Sequence, residues 1–206
     1  MKITRVVVPV LLVLASIQTA IAAYPPEYTN TWRSPPIDKV DSASPAAIVR
    51  AGVTKLTDFI MSGQAQDRDQ AMAFMKTEIE PYFDFEYMSR WAAGSAWQRM
   101  SPQQRAYMQE QLKNSFMNTL AQKLVTYSNQ PIRYFTPRGQ GSNDVRVSAW
   151  IMQPNGIPTR LEFRFYRTGD QWKIFDVKAE GNSAVVYYRK QFRSLMQPEA
   201  RGTYYN

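Results

Sequence analysis

Catalysis and metal binding draw on a short list of side chains, and two of the most useful are missing here. The chain has no histidine and no cysteine, which removes thiolate nucleophiles, imidazole general bases, histidine-containing triads and ordinary zinc sites together. Aspartate and glutamate remain, 17 in all, but no Asp-x-Asp-x-Asp-Gly loop gathers them around a hard cation. Asp176 is the one acid embedded in an apolar stretch, Trp172-Lys173-Ile174-Phe175-Asp176-Val177. To work as a base in a pocket it needs an oxyanion donor opposite it; the plainer reading is a carboxylate paired with a nearby arginine. Glu180 and Arg189, on either side of the next turn, read the same way, as partners that fix a corner. No catalytic residue, metal ligand or cofactor is expected.

The elements that must hold these residues follow from periodicity. Trp172 to Lys178 has the aromatic and β-branched content of a strand. The chain turns at Gly181, and Asn182 or Ser183 caps a helix that ends before Pro198. Upstream, Ser44-Pro45 starts a helix carrying Ile48, Val49, Val53, Leu56, Phe59 and Ile60 to Gly63. A second helix is read from about Asp67 to Glu80, closed by Pro81, and a short third from Asp84 through Trp91 to Gly94. Ser101-Pro102-Gln103-Gln104 is a capping box. It opens a long helix in which Met108, Leu112, Phe116, Leu120 and Leu124 recur every four residues, widened by Met117, Ala121 and Val125. From Pro131 the period falls to two. Strands are expected at about Ile132 to Phe135, Asp144 to Ile151, Thr159 to Arg167 and Trp172 to Lys178, with glycine- or asparagine-bearing turns between them. Leu161, Phe163 and Phe165 alternate with Arg160, Glu162 and Arg164, so one face is buried. The expected fold is α+β: N-terminal helices packed on a curved four-stranded antiparallel sheet, with a closing C-terminal helix. A cone of this kind resembles the ketosteroid-isomerase and nuclear-transport-factor folds.

The ends read differently. In residues 1–23, Lys2 and Arg5 precede an apolar run from Val6 to about Ile17, and Ala20-Ile21-Ala22 has the small-x-small form of a cleavage site, so a secretory signal peptide and an exported protein are expected. Residues 24–44 are proline-rich with few apolar neighbours and read as a flexible lead-in. Residues 45–197 are expected to form one domain and 198–206 a tail. The formal charge is +8; without Lys2 and Arg5 it is 23 cations against 17 anions, or +6. The cations are scattered and form no run, so nucleic acid is not an expected partner.

Three blocks resemble the periplasmic phospholipid-shuttle family called MlaC or the toluene-tolerance family. They are Pro81-Tyr82-Phe83-Asp84-Phe85 with Met88-Ser89-Arg90; Gly94 and Trp97 with Ser101-Pro102-Gln103-Gln104-Arg105; and Trp172 to Val177, Glu180 to Ser183 and Tyr188 to Phe192. The resemblance covers roughly Pro81 to Gln197. The chain departs from it at Trp91-Ala92-Ala93, where the family usually has a Val-Leu pair, and at Asn118-Thr119-Leu120, where Thr-Tyr is common.

The resemblance implies a non-enzymatic, periplasmic carrier. Its cargo would be a phospholipid, and its partners an inner-membrane ABC transporter complex and an outer-membrane lipoprotein/porin complex, with outer-membrane lipid asymmetry and toluene tolerance as the outcome. A monomer is expected. Apolar side chains on the helix stripe and on the sheet face it should cover are the candidate lipid contacts: Phe83, Met88, Trp97, Phe116, Leu120, Leu124, Trp150, Phe163, Phe165 and Val177. Ten methionines suit an adaptable apolar surface. The alternatives are a small periplasmic hydrolase or isomerase on the same fold, and an interaction module whose apolar faces are only core.

Overall fold

The computed structural model describes residues 44–124, 130–139 and 143–196. The expected signal peptide, all of the proline-rich segment except Ser44, Val125 and the C-terminal tail lie outside the described residues.

Helix α1 spans Pro45–Met61; the Ser44 hydroxyl accepts from the Ala47 amide at 3.3 Å and Pro45 fills the first turn. Asp67 caps α2, Arg68–Phe74, accepting from the amides of Asp69 and Gln70 at 2.8 and 3.0 Å. The helix expected to reach Glu80 unbroken does not. It widens into a π-turn at Met75–Ile79 and then tightens into a 3₁₀ turn at Glu80–Tyr82. Pro81 is the physical cause: it has no amide to donate, and its ring crowds the carbonyl four residues back, so the ladder must change pitch before it. Met75 and Ile79 stay buried through the change. Asp84 caps α3, Phe85–Ala93, and Gly94 ends it at φ +58°. The capping box before α4, Pro102–Leu124, closes in both directions: Ser101 Oγ accepts from Gln104 N at 3.2 Å, and Gln104 Oε1 from Ser101 N at 2.8 Å.

The strands are β1 (Ile132–Tyr134), β2 (Arg138–Gly139), β3 (Asp144–Ile151), β4 (Thr159–Thr168), β5 (Gln171–Ala179) and β6 (Asn182–Ser183), followed by α5 (Ala184–Met196). They form one antiparallel sheet in the order β1-β3-β4-β5-β6, with β2 also paired to β3. The four expected strands are there, and two two-residue strands extend them. β6 exists because Glu180 and Gly181 both take positive φ, +50° and +80°, the geometry of a two-residue hairpin whose twist matches the strands it joins. The chain therefore pairs once more before α5 starts.

Register sorts the side chains. Val147 faces Phe163 and Phe163 faces Val177, while Phe165 faces both Val145 and Ile174, so these residues share one side of the sheet. A bulge where Arg164 pairs with Asp176 and Phe165 with Ile174 leaves Phe175 as the extra residue on β5. Phe175 and Asp176, although consecutive, consequently both serve the other side, where α3 and α5 pack. Two buried clusters result. Val49 of α1 joins Val147, Phe165 and Ile174 on the first side. A larger, mostly helical cluster includes Phe85, Met88, Leu112, Phe175 and Tyr188. Four of its members, Met75, Met88, Met108 and Met117, are sealed at 0 to 3% exposure, whereas Met61 is 66% exposed.

Candidate functional site

The corner where β5 meets α5 is built around Asp176, which is 1% exposed. Its carboxylate accepts from the Ser183 hydroxyl at 2.8 and 2.9 Å and from the Val185 amide at 3.1 Å, and the Arg164 guanidinium lies 3.8 Å away. Ser183 in turn accepts from the Val186 amide at 3.1 Å. A carboxylate with this many donors caps a helix and anchors an arginine. Glu180 accepts from the Arg160 amide through its side chain and donates its own amide to the Arg160 carbonyl at 2.9 Å. Arg189 Nη2 donates to the Trp91 carbonyl at 2.5 Å, tying α5 to α3. At the far end of α3, Asp84 accepts from the Tyr87 amide at 2.8 Å and from the Tyr166 hydroxyl. Burial, and then the Asp84 carboxylate, raise the pKa of that hydroxyl above the usual tyrosine value. Tyr188, buried and donating to Ser115 Oγ at 3.4 Å, has its hydroxyl pushed up to about 12 by burial.

The apolar candidates behave otherwise. On α4, Leu112, Met117 and Ala121 are buried, while Phe116 and Leu120 are only half-buried. At about 100° per residue, Phe116 and Leu120 lie about 40° and 80° round the helix from Leu112, with Met117 and Ala121 at about 140° and 180°. The two less covered residues thus occupy the middle of the arc whose margins are sealed. Phe83 is half-buried as well and packs against both clusters. Its ring lies 5.1 Å from that of Phe116 and 5.6 Å from that of Phe85, and it bridges to Ile174. Phe163 and Val177, also half-buried, pack on the sheet-side cluster. The two cores therefore meet at Phe83, and Phe116, Leu120, Phe163 and Val177 are their incompletely covered apolar margins.

The remaining candidates are placed elsewhere. Met88 and Phe165 are completely buried and fill core. Trp97 is half-buried in the 3₁₀ turn before α4; the Arg105 guanidinium lies 5.3 Å from its ring, and Arg105 Nε donates to its carbonyl at 3.0 Å. Leu124 ends α4, and its side chain lies outside the described residues. Trp150, chosen as a companion of Phe163, stands on the opposite face of the sheet. It pairs with Arg133 and Arg160 in register, packs on the Phe135 ring at 4.6 Å and carries the Arg160 guanidinium 5.0 Å from its own ring. Strand alternation decides this: Val147 and Ala149 take the buried positions, so position 150 turns away.

Sequence reasoning missed a pocket of about 430 Å³ lined by Tyr87, Arg90, Trp91, Gly94 and Arg189. Arg90-Trp91 at a helix end was a visible signal, but Arg189 reaches it from 98 residues further along. Among the described residues no group of three or more acidic side chains is placed to hold a metal ion, and no helix is long and apolar enough to cross a membrane.

Comparison with known proteins gives consistent likenesses. The family model described as MlaC protein matches residues 51–202. The intermembrane phospholipid transport system binding protein MlaC of Haemophilus influenzae is 26% identical over 171 residues, 80% of each chain. Toluene tolerance protein ttg2D of Pseudomonas putida is 23% identical over 166 residues, 79% of this chain and 77% of that one. Among solved structures, a phospholipid-binding protein from Ralstonia solanacearum in complex with a phospholipid superposes with a TM-score of 0.65 at 24% identity, covering 75% of this chain and 87% of the other. That likeness extends to the helix and antiparallel-sheet architecture.

Proposed function

The chain belongs to the MlaC family, and from that premise we propose that it is a non-enzymatic phospholipid carrier of the periplasm. In this reading it collects a lipid at one membrane and delivers it to the other, docking in turn on an outer-membrane lipoprotein/porin complex and an inner-membrane ABC transporter complex. Residues 1–23 would direct export, 24–44 would be a lead-in, and 45–197 would be the lipid-binding domain. The names of the Haemophilus influenzae relative and of the solved structure support the cargo class.

The observation that carries the reading is the half-buried state of Phe116 and Leu120 on α4, between buried Leu112 on one side and buried Met117 and Ala121 on the other. A core that only needed to be stable would cover those positions first. Hydrocarbon supplied from outside would cover them instead, with Phe83, Phe163 and Val177 as further contacts. Two acyl chains of about thirty methylenes, at ~0.8 kcal/mol each, cost on the order of 20 kcal/mol to expose to water, so a lipid crosses an aqueous gap slowly unless a protein shields its tails. The charged head group stays at the mouth, because burying it unpaired costs several kcal/mol. No covalent step enters.

Mass spectrometry of protein purified without detergent tests the proposal. The unaltered chain is expected to carry phospholipid, and Leu120→Arg or Phe163→Arg to emerge folded by circular dichroism but empty. An unaltered chain that emerges empty, or variants that retain their full lipid content, would reject it.

A further inference from the structure

The pocket between α3 and α5 differs in chemistry from the apolar margins around Phe83. Arg90 and Arg189 both line it, and among the described residues neither has a carboxylate within 4.0 Å. Glu86, one turn before Arg90 on α3, is exposed and makes no such pair either. Arg189 is already oriented, since Nη2 is held by the Trp91 carbonyl at 2.5 Å, while its buried Nε has no acceptor among the described residues. Beneath Trp91, the Arg164 guanidinium lies 5.9 Å from the indole ring, but its charge is spoken for by Asp144 and Asp176 at 3.7 and 3.8 Å.

Trp91, in the lining, is 41% exposed. Val186, one turn before Arg189 on α5, is 45% exposed. Arginine, tryptophan and tyrosine around a small depression are the side chains that concentrate binding energy at protein interfaces. Two guanidinium groups without a carboxylate partner among the described residues select a carboxylate or phosphate. A free phosphate or a lipid head group would use the arginines and leave Trp91 and Val186 in water, whereas a peptide covers both. We propose that this pocket docks an acidic segment of a partner protein, which sets a carboxylate between Arg90 and Arg189 and lays an apolar side chain across Trp91 and Val186. The proposal does not depend on the lipid-carrying reading, because none of these residues belongs to the apolar margins.

The test uses fluorescence anisotropy of a labelled peptide of alternating glutamate and leucine, against a control of alternating glutamine and leucine, with the full exported chain. Arg90 is exposed and makes no ion pair among the described residues, so Arg90→Ala should keep the fold. It is expected to weaken the acidic peptide about tenfold. Arg68→Ala, which removes the same charge from α2, should change binding less than about twofold. Arg189→Lys, which keeps the charge and loses the fork, should fall between them. Co-purified lipid should be the same in Arg90→Ala as in the unaltered chain. Any of four results would overturn the proposal: no preference for the acidic peptide, equal losses in Arg90→Ala and Arg68→Ala, displacement of the peptide by millimolar inorganic phosphate, or loss of lipid from Arg90→Ala.

Discussion

The corner around Asp176 and the apolar margins around Phe83 are made from the same strand. Phe175 and Asp176 of β5 face one way, Ile174 and Val177 the other, and the environments differ in kind. On the corner side a carboxylate 1% exposed is met by a hydroxyl, an amide and a guanidinium. Each of those bonds has a preferred direction, so the junction of β5 and α5 has one arrangement. On the other side Val177 and Phe163 pack against apolar neighbours and stop short of full cover, as Phe116 and Leu120 do at the edge of the helical cluster that Phe83 joins to it. Dispersion contacts have no preferred direction and can be re-formed with a different partner, including one that is not protein. The contrast teaches how a small fold can be rigid in outline and adjustable at one place: directional bonds fix the frame, and incompletely covered apolar contacts leave room to repack.

The contrast is sharpest if the frame fails when one polar group is removed. Asp176→Ala strips the cap from α5 and leaves the Arg164 guanidinium with Asp144 as its carboxylate partner, at 3.7 Å. Unfolding in urea should show a loss of about 3–5 kcal/mol, and a loss below about 1 kcal/mol would mean that the corner does not hold the frame. The next test sets core against margin. Met88→Ala empties a completely buried site and should cost about 2–5 kcal/mol, whereas Leu120→Ala, at a half-buried site, should cost less than half of that in lipid-free protein. Equal costs would erase the distinction between the two regions.

The smallest effect is a pH slope. The folded state holds the proton on Tyr188 up to about pH 12, against 10.0 for an ordinary tyrosine. Between those values the unfolded chain releases a proton that the native chain keeps, so stability is intact below pH 10.0 and declines as pH rises toward 12, by on the order of 1 kcal/mol per pH unit. Tyr166, raised for related reasons, adds to the slope. Tyr188→Phe should flatten it in part, as followed by denaturation midpoints across the alkaline range, and an unchanged slope would show that the buried hydroxyl is not what titrates.

What could be read in the sequence was local. The caps at Ser44, Asp84 and Ser101 involve partners three residues away, so they are legible as words, and the structure makes each of those bonds. The strand Asp144–Ile151 ends where its alternation ends. The failures were of four sorts. Pro81 was read as a stop, but its influence ran back through Met75–Ile79 and changed the helix pitch there. The bulge on β5 broke the alternation of Trp172 to Val177 in a way no pattern announces, and the turn at Glu180 needed a residue other than glycine to accept a positive φ. Trp150 was assigned by its apolar character, although the strand's phase put it with arginines on the far face. The pocket of Arg90 and Arg189 depends on two helices being brought together, and only the folded chain shows that.

The sealed thioethers have a consequence of their own. Converting methionine to its sulfoxide adds a polar oxygen that a packed helical layer has no room or partner for. Met61 stands in solvent, while Met75, Met88, Met108 and Met117 are shut inside. An oxidant in the surroundings is absorbed harmlessly by the first, and it reaches the other four only in molecules whose helices have already parted. The chain thus carries a tamper seal in its own sulfur atoms, left intact for as long as the helices stay together.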